Sequence, residues 1–177
     1  MRLASLLLAA CFLPATAIAQ PASAPVEAPA TAERMAPFAW LVGEWHGSGW
    51  FVAPDGSRHT FESREVVTPK LSGNALLVEG RHHPAGQPDR IMHDAIALLT
   101  WDSRAGAYRM RTALANGQGG DFPVEPGPNG LTWRIDTPGG AIVYTITNNG
   151  GVWIERGSRT GPDGQSVDFF EMALRKR

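Results

Sequence analysis

From residue 43 to the end of the chain, apolar residues recur at every second position in short runs, and turn-forming residues separate the runs. Alternation of this kind marks strands with one buried face. It predicts strands near 44–53, 58–67, 74–83, 91–101, 106–114, 119–125, 130–136, 141–148, 151–159 and 166–175. The breaks carry Pro54-Asp55-Gly56, Ser72-Gly73-Asn74, Asn116-Gly117, Pro128-Asn129-Gly130, Asn149-Gly150-Gly151 and Gly161-Pro162-Asp163-Gly164. These residues preset a turn or tolerate positive φ. No stretch after residue 42 has the length and period of a crossover helix, so an antiparallel meander is the economical topology. Such a meander must hide its edges, and closure into a barrel does so. Ahead of it, residues 32–41 place Met35, Phe38 and Leu41 on one face before Gly43, which predicts a short helix that plugs one end. The expected fold is therefore all-β: an antiparallel meander closed into a barrel of 8–10 strands, with a short N-terminal helix capping it.

Composition narrows the class. With 43% hydrophobic and 19% charged residues and a formal net charge of -1, the chain reads as one globular domain with no basic arm for nucleic acid. Its first nineteen residues stand apart. Arg2 precedes an apolar stretch from Leu3 to Ile18, and Ala17-Ile18-Ala19 before Gln20 has the form of a signal-peptide cleavage site. The expectation is a mature protein in the periplasm or secreted, with no transmembrane segment. A competing cleavage site, Leu8-Ala9-Ala10-Cys11, would leave Cys11 acylated and membrane-anchored, but the apolar run before it is short and continues past it to a better site. Cys11 is the only cysteine, so cleavage after Ala19 leaves no disulfide, thiolate nucleophile or cysteine-based metal site. Residues 20–33, rich in proline and alanine, read as an extended linker, and the folded domain as 34–177.

Gly43-Glu44-Trp45 near the first strand, with Leu174-Arg175-Lys176-Arg177 ending the last, resembles the calycin signature. In lipocalins, fatty-acid-binding proteins and nitrobindin-like barrels, a tryptophan at the closed end is covered by a cation from the final strand. More narrowly, LVGEW, PKLSGNALLVEG at 69–80, AIALLTWD at 95–102, VYTI at 143–146, VWIE at 152–155 and FFEMAL at 169–174 are similar to a bacterial exported family, domain of unknown function family fifteen-seventy-nine. That resemblance spans nearly the whole mature domain and implies a calycin-like barrel, but no activity. The nitrobindin-like barrels bind haem iron through a histidine late in the chain. Here no histidine follows His93, so that role does not carry over and no cofactor is expected.

The stretch LVGEWHGSGWF raises a question about its glycines, because glycine weakens a strand interior. On a strand, Trp45, Gly47, Gly49 and Phe51 share one face, so an inward Trp45 turns both glycines inward. They either leave room for a ligand chamber or mark a sharp bend where another strand comes close.

Chemistry-bearing residues are few. Glu79, Glu155 and Glu171 sit in apolar company. Inside a barrel they would need a partner such as Arg109 or Arg111; on the solvent face they would pair across strands. Parity leaves both open, since one bulge reverses the faces. Of the five histidines, His93 in a strongly apolar strand is the best single candidate, although strand histidines are commonly structural. Neither H-x-H nor HExxH spacing occurs, no metal site is expected, and no G-x-S-x-G or phosphate loop is present. No catalytic residue is assigned. The leading expectation is an exported binding module that holds a small apolar or amphipathic molecule. Trp50, Trp133 and Tyr144 would form its aromatic wall, Glu79, Arg111 and Glu155 its polar readers, with His93 alongside. Two alternatives stand beside it: a small-molecule enzyme using a Glu/His acid–base pair in the barrel, and a passive domain, solid inside, that recognises partners through its surface and the loop RHHPAGQPDR.

Overall fold

The computed structural model describes residues 32–177. The predicted signal sequence, Cys11 and all but the last two residues of the predicted linker lie outside the described residues. Ten strands follow one another: β1 (Gly43–Val52), β2 (Arg58–Lys70), β3 (Ala75–Pro84), β4 (His93–Asp102), β5 (Ala107–Leu114), β6 (Gly119–Gly127), β7 (Gly130–Thr137), β8 (Gly140–Asn149), β9 (Val152–Thr160) and β10 (Ser166–Lys176). Each pairs antiparallel with the next, and β1 pairs with β10 to close the barrel. The expected all-β closed meander is thus the observed fold. The alternation that predicts the strands is the inward and outward alternation of the barrel wall.

The front element is a 3₁₀ helix, Glu33–Leu41, in place of an α-helix. Its apolar residues explain the choice: Met35, Phe38 and Leu41 are three apart, and in a three-residue turn they stack on one line. All three are buried against the barrel end. The Tyr108 hydroxyl donates to the Arg34 carbonyl (2.6 Å), and Phe38 meets the Tyr108 ring edge-on at 4.9 Å. These contacts seat the helix as a plug.

The loops that join β2 to β3, β4 to β5, β6 to β7 and β8 to β9 lie at the plugged end, and the others surround the opposite, open end. Core residues crowd the plugged half. Phe38, Leu41, Trp45, Val67, Leu99 and Leu174 are essentially inaccessible there.

The wall is not uniform. The β1–β10 seam is paired from Trp45–Lys176 to Phe51–Phe170. The β6–β7 ladder runs only from Val124–Trp133 to Gly127–Gly130, so Gly119–Pro123 and Arg134–Thr137 diverge towards the open end. Pro123 and Pro126 each remove a backbone donor from β6, which disfavours a longer ladder.

Candidate functional site

The floor is aromatic. Trp40, Trp45 and Trp153 meet edge to face, with centroids 5.6 to 6.1 Å apart. The Trp45 indole N–H donates to the Leu41 carbonyl (2.6 Å), and the Lys176 ammonium lies 4.9 Å from the Trp45 ring centre. The first strand, the last strand and the plug are therefore locked together at one point.

Gly47 and Gly49, directly above Trp45, do not open a chamber. A Cβ at Gly47 would overlap the Ala173 carbonyl, and one at Gly49 would overlap the Glu171 carbonyl and lie 2.8 Å from the Met172 Cβ. They permit the close approach of β10. Space is made elsewhere. Gly80 on β3 gives the Glu65 carboxylate its place, since a Cβ there would stand 2.6 Å from Oε2. Gly157 on β9 leaves room for the Tyr144 ring, 2.8 Å from where its Cβ would be.

Above the floor lies a cavity of ≈ 880 Å³, inside the range of roughly 300 to 1,000 Å³ common for small-molecule pockets. The solid interior expected for a passive interaction domain is not found. The apolar wall includes Val78, Ala97, Met110, Leu131, Ile146 and Met172. An aromatic wall faces it: Trp133 stacks on Tyr144 at 4.4 Å, Phe122 leans on Trp133 at 5.4 Å, and Phe170 meets Tyr144 edge-on at 6.0 Å. Met92 and Gly117–Gly119 fringe the mouth.

Two polar stations interrupt this lining. On β2 and β3, the His82 Nε2–H donates to Glu65 Oε1 (2.9 Å), to which the Ser63 hydroxyl also donates (3.3 Å). His82 is sandwiched between Phe61 and His93, each ring centre 4.7 Å from its own. Ser63, Glu65 and His82 are all buried. The second station, on β9, is Glu155, only 8% exposed. Burial first, and the nearby Glu65 charge second, push its carboxyl up to about 8; the Trp153 indole N–H, short of full hydrogen-bond geometry, pulls weakly the other way. Glu155 is thus mainly protonated at neutral pH and presents a hydrogen-bond donor to the cavity. Burial, followed by the Glu155 charge, raises the Tyr144 hydroxyl to about 12. Burial also lowers His93, helped by His82 and opposed by Glu65 and Asp94.

No family model and no curated protein matches the chain. Its barrel has structural counterparts. Rv2717c from M. tuberculosis superimposes with a TM-score of 0.61 at 12% identity, over 81% of this chain and 96% of that one. An S-type phycobiliprotein lyase from Guillardia theta gives 0.50 at 9% identity, over 79% and 89%. A zebrafish ileal bile acid-binding protein complexed with cholic acid gives 0.49 at 12% identity, over 78% and 100%. At such identities the first two show a shared barrel fold and nothing finer.

The structure divides the residues singled out in the sequence. His93, Trp133, Tyr144 and Glu155 line the cavity together. Trp50, Glu79 and Arg111 do not, which corrects the expected cavity wall. Trp50 faces outward beneath the Arg58 guanidinium, 3.8 Å from its ring centre. Glu79 is exposed, because Leu76, Val78, Gly80 and His82 take the inward positions of β3. Arg111 faces solvent and bonds Thr100, Asp102 and Asp121. Glu171 and Arg109 are likewise outside, paired with Arg156 and Asp121. The inner acid missed in the sequence is Glu65. Its signal was there: in Phe61-Glu62-Ser63-Arg64-Glu65-Val66-Val67 it shares the parity of Phe61 and Val67, both inaccessible. Among the described residues, no group of three His, Cys, Asp or Glu is placed to hold a metal ion, and no helix is long and apolar enough to cross a membrane.

Proposed function

We propose that this protein is an exported binding module that holds one small apolar or amphipathic molecule inside its barrel. The observation that carries the proposal is the ≈ 880 Å³ cavity, largely apolar and aromatic, with its buried acids at two stations, Glu65–His82 and Glu155. A filled core would leave no such volume; a hollow one lined this way desolvates an apolar body and orients it through a few hydrogen bonds. Export rests on the signal-like residues 1–19, with cleavage after Ala19. Kinship with the exported family whose motifs the chain resembles belongs to the same proposal. It is supported by the places those motifs occupy: LVGEW brings Trp45 to the floor, and VWIE brings Trp153 and Glu155 to the cavity.

A titration with Nile red, followed by dye emission and tryptophan quenching on protein purified without detergent, tests it. Saturable binding of one dye per chain is expected. Replacing Ala97, which lines the cavity opposite Thr112, with phenylalanine should abolish that binding and leave the fold intact, because the ring enters open space. Dye binding unchanged by Ala97→Phe, or none in the parent protein, would sink the proposal.

A second reading, proton transfer to a bound molecule, is favoured by one observation: the buried Glu65–His82 pair opens onto the same cavity beside His93. A carboxylate that accepts from an imidazole fixes the orientation of its ring. Conversion of a retained molecule, followed by mass spectrometry and lost in His82→Phe, would establish turnover.

A further inference from the structure

Taking the barrel as a binding module, we infer that its cavity selects organic cations: a protonated or quaternary amine on an apolar body, with the charge at Glu155 and the body against Trp133 and Tyr144. The first support is the sign of the lining. Among the described residues, the cavity wall contains Glu65 and Glu155 but no lysine or arginine. Four arginines of the surrounding strands are paired outside, Arg64 with Glu44, Arg81 with Asp94, Arg109 with Asp121 and Arg156 with Glu171, while Arg159 lies over Phe169 at the open end. A carboxylate head drawn to the depth of Glu155, below Arg159, would meet two acids in the lining, at the desolvation cost that attends an unpaired buried charge.

The second support is the aromatic surround. Trp133 and Tyr144 stack in parallel, and Phe122 and Phe170 extend the same wall. Aromatic faces attract alkylammonium groups, most strongly where water is excluded. The two polar stations also differ in readiness. Glu65 already accepts from Ser63 and His82, whereas Glu155 has only the incomplete approach of the Trp153 indole N–H. Glu155 is the acid free to meet a guest.

The groups that face Glu155 set how charge enters. Glu65 approaches from β2 and Tyr144 from β8, while its register partners, Ile146 on β8 and Met172 on β10, are apolar. His82 and His93 belong to the Glu65 side, and Arg159, higher on β9, lies over Phe169. An empty cavity keeps Glu155 protonated. A cation beside it reverses the balance, the carboxyl ionises, and one proton leaves as the guest binds. Affinity for a permanent cation then rises about tenfold per pH unit until Glu155 ionises without help, and levels off above that.

Matched dodecyl probes test this: dodecyltrimethylammonium, dodecanol and dodecanoate, each below micelle formation, by calorimetry between pH 6 and pH 9. The ammonium should bind at least tenfold more tightly than dodecanoate at pH 8, and its affinity should climb with pH while that of dodecanol stays level. Calorimetry in two buffers of different ionisation enthalpy should show about one proton released per ammonium at pH 7, a readout that needs no variant. Glu155→Gln should flatten the pH dependence of ammonium binding and abolish the proton release, whereas Glu79→Gln, on the exposed face of β3, should change neither. Equal binding of ammonium and dodecanol with no proton release, or tighter binding of dodecanoate, overturns the inference while leaving a binding module in place. Failure of all three probes to bind overturns both.

Discussion

Replacing Glu155 by glutamine removes an ionisable group from the barrel while keeping its size and polarity, and the consequence should be read as a function of pH. In the folded chain the carboxyl is raised from 4.5 to about 8. A raised carboxyl favours the folded state below its unfolded value, and that contribution is lost as pH climbs through the folded value. Between these limits the native protein holds one proton that the unfolded chain has released, so stability falls by roughly 1.4 kcal/mol per pH unit. Over the whole window the loss is on the order of 5 kcal/mol, against a total of about 5 to 15 kcal/mol for a domain. Urea unfolding of parent and Glu155→Gln at pH 5, 6, 7, 8 and 9 measures the difference. At pH 5 the two should agree to about 1 kcal/mol, the scale of one altered hydrogen bond. At pH 9 the variant should be the more stable by several kcal/mol. Parallel curves would show that Glu155 ionises in the folded state as it does in water, and the account of its burial on β9 would fall.

Two further outcomes test the remaining structure. Gly47→Ala should destabilise by about 1 to 3 kcal/mol or more in thermal unfolding, because the new methyl meets the β10 backbone. The same change at Gly139, where nothing lies within 4 Å, should stay within about 0.5 kcal/mol, and equal effects would refute the close-approach account. His93→Leu should gain stability relative to the parent as pH falls below 6.5. The depressed native imidazole contributes stability that is present above that value and lost beneath it, so an unchanged acid limb would count against its burial.

How far the fold could be read from the sequence follows from what each signal depends on. Strand identity depends on local alternation and on turns such as Asn116-Gly117, both contained within a few residues, and the ten strands were legible for that reason. The helix type turned on a three-residue spacing that suits a 3₁₀ turn as well as one face of an α-helix. The facing of isolated acids depends on partners far away in the chain. Glu79 and Glu155 stand in similar apolar company yet point to opposite sides. The place of Glu65 inside exists because Gly80, on the neighbouring strand, lacks a side chain, a dependence that no local pattern carries. Arg111 misled for the complementary reason: its strand alternates apolar and basic, and the basic set belongs to the exterior.

The short ladder between β6 and β7 makes the barrel a hoop with one weak joint. Any guest wider than the mouth must strain the wall, and strain concentrates where the fewest hydrogen bonds resist it. The long β1–β10 seam, riveted at Trp45 and Lys176, should stay shut while Gly119–Pro123 and Arg134–Thr137 part. Phe122 and Trp133, which touch across that gap, are then the latch. Loading would be a sideways hinge of two half-strands that leaves the tryptophan floor undisturbed, and backbone amide exchange would be fastest along this one line of the wall.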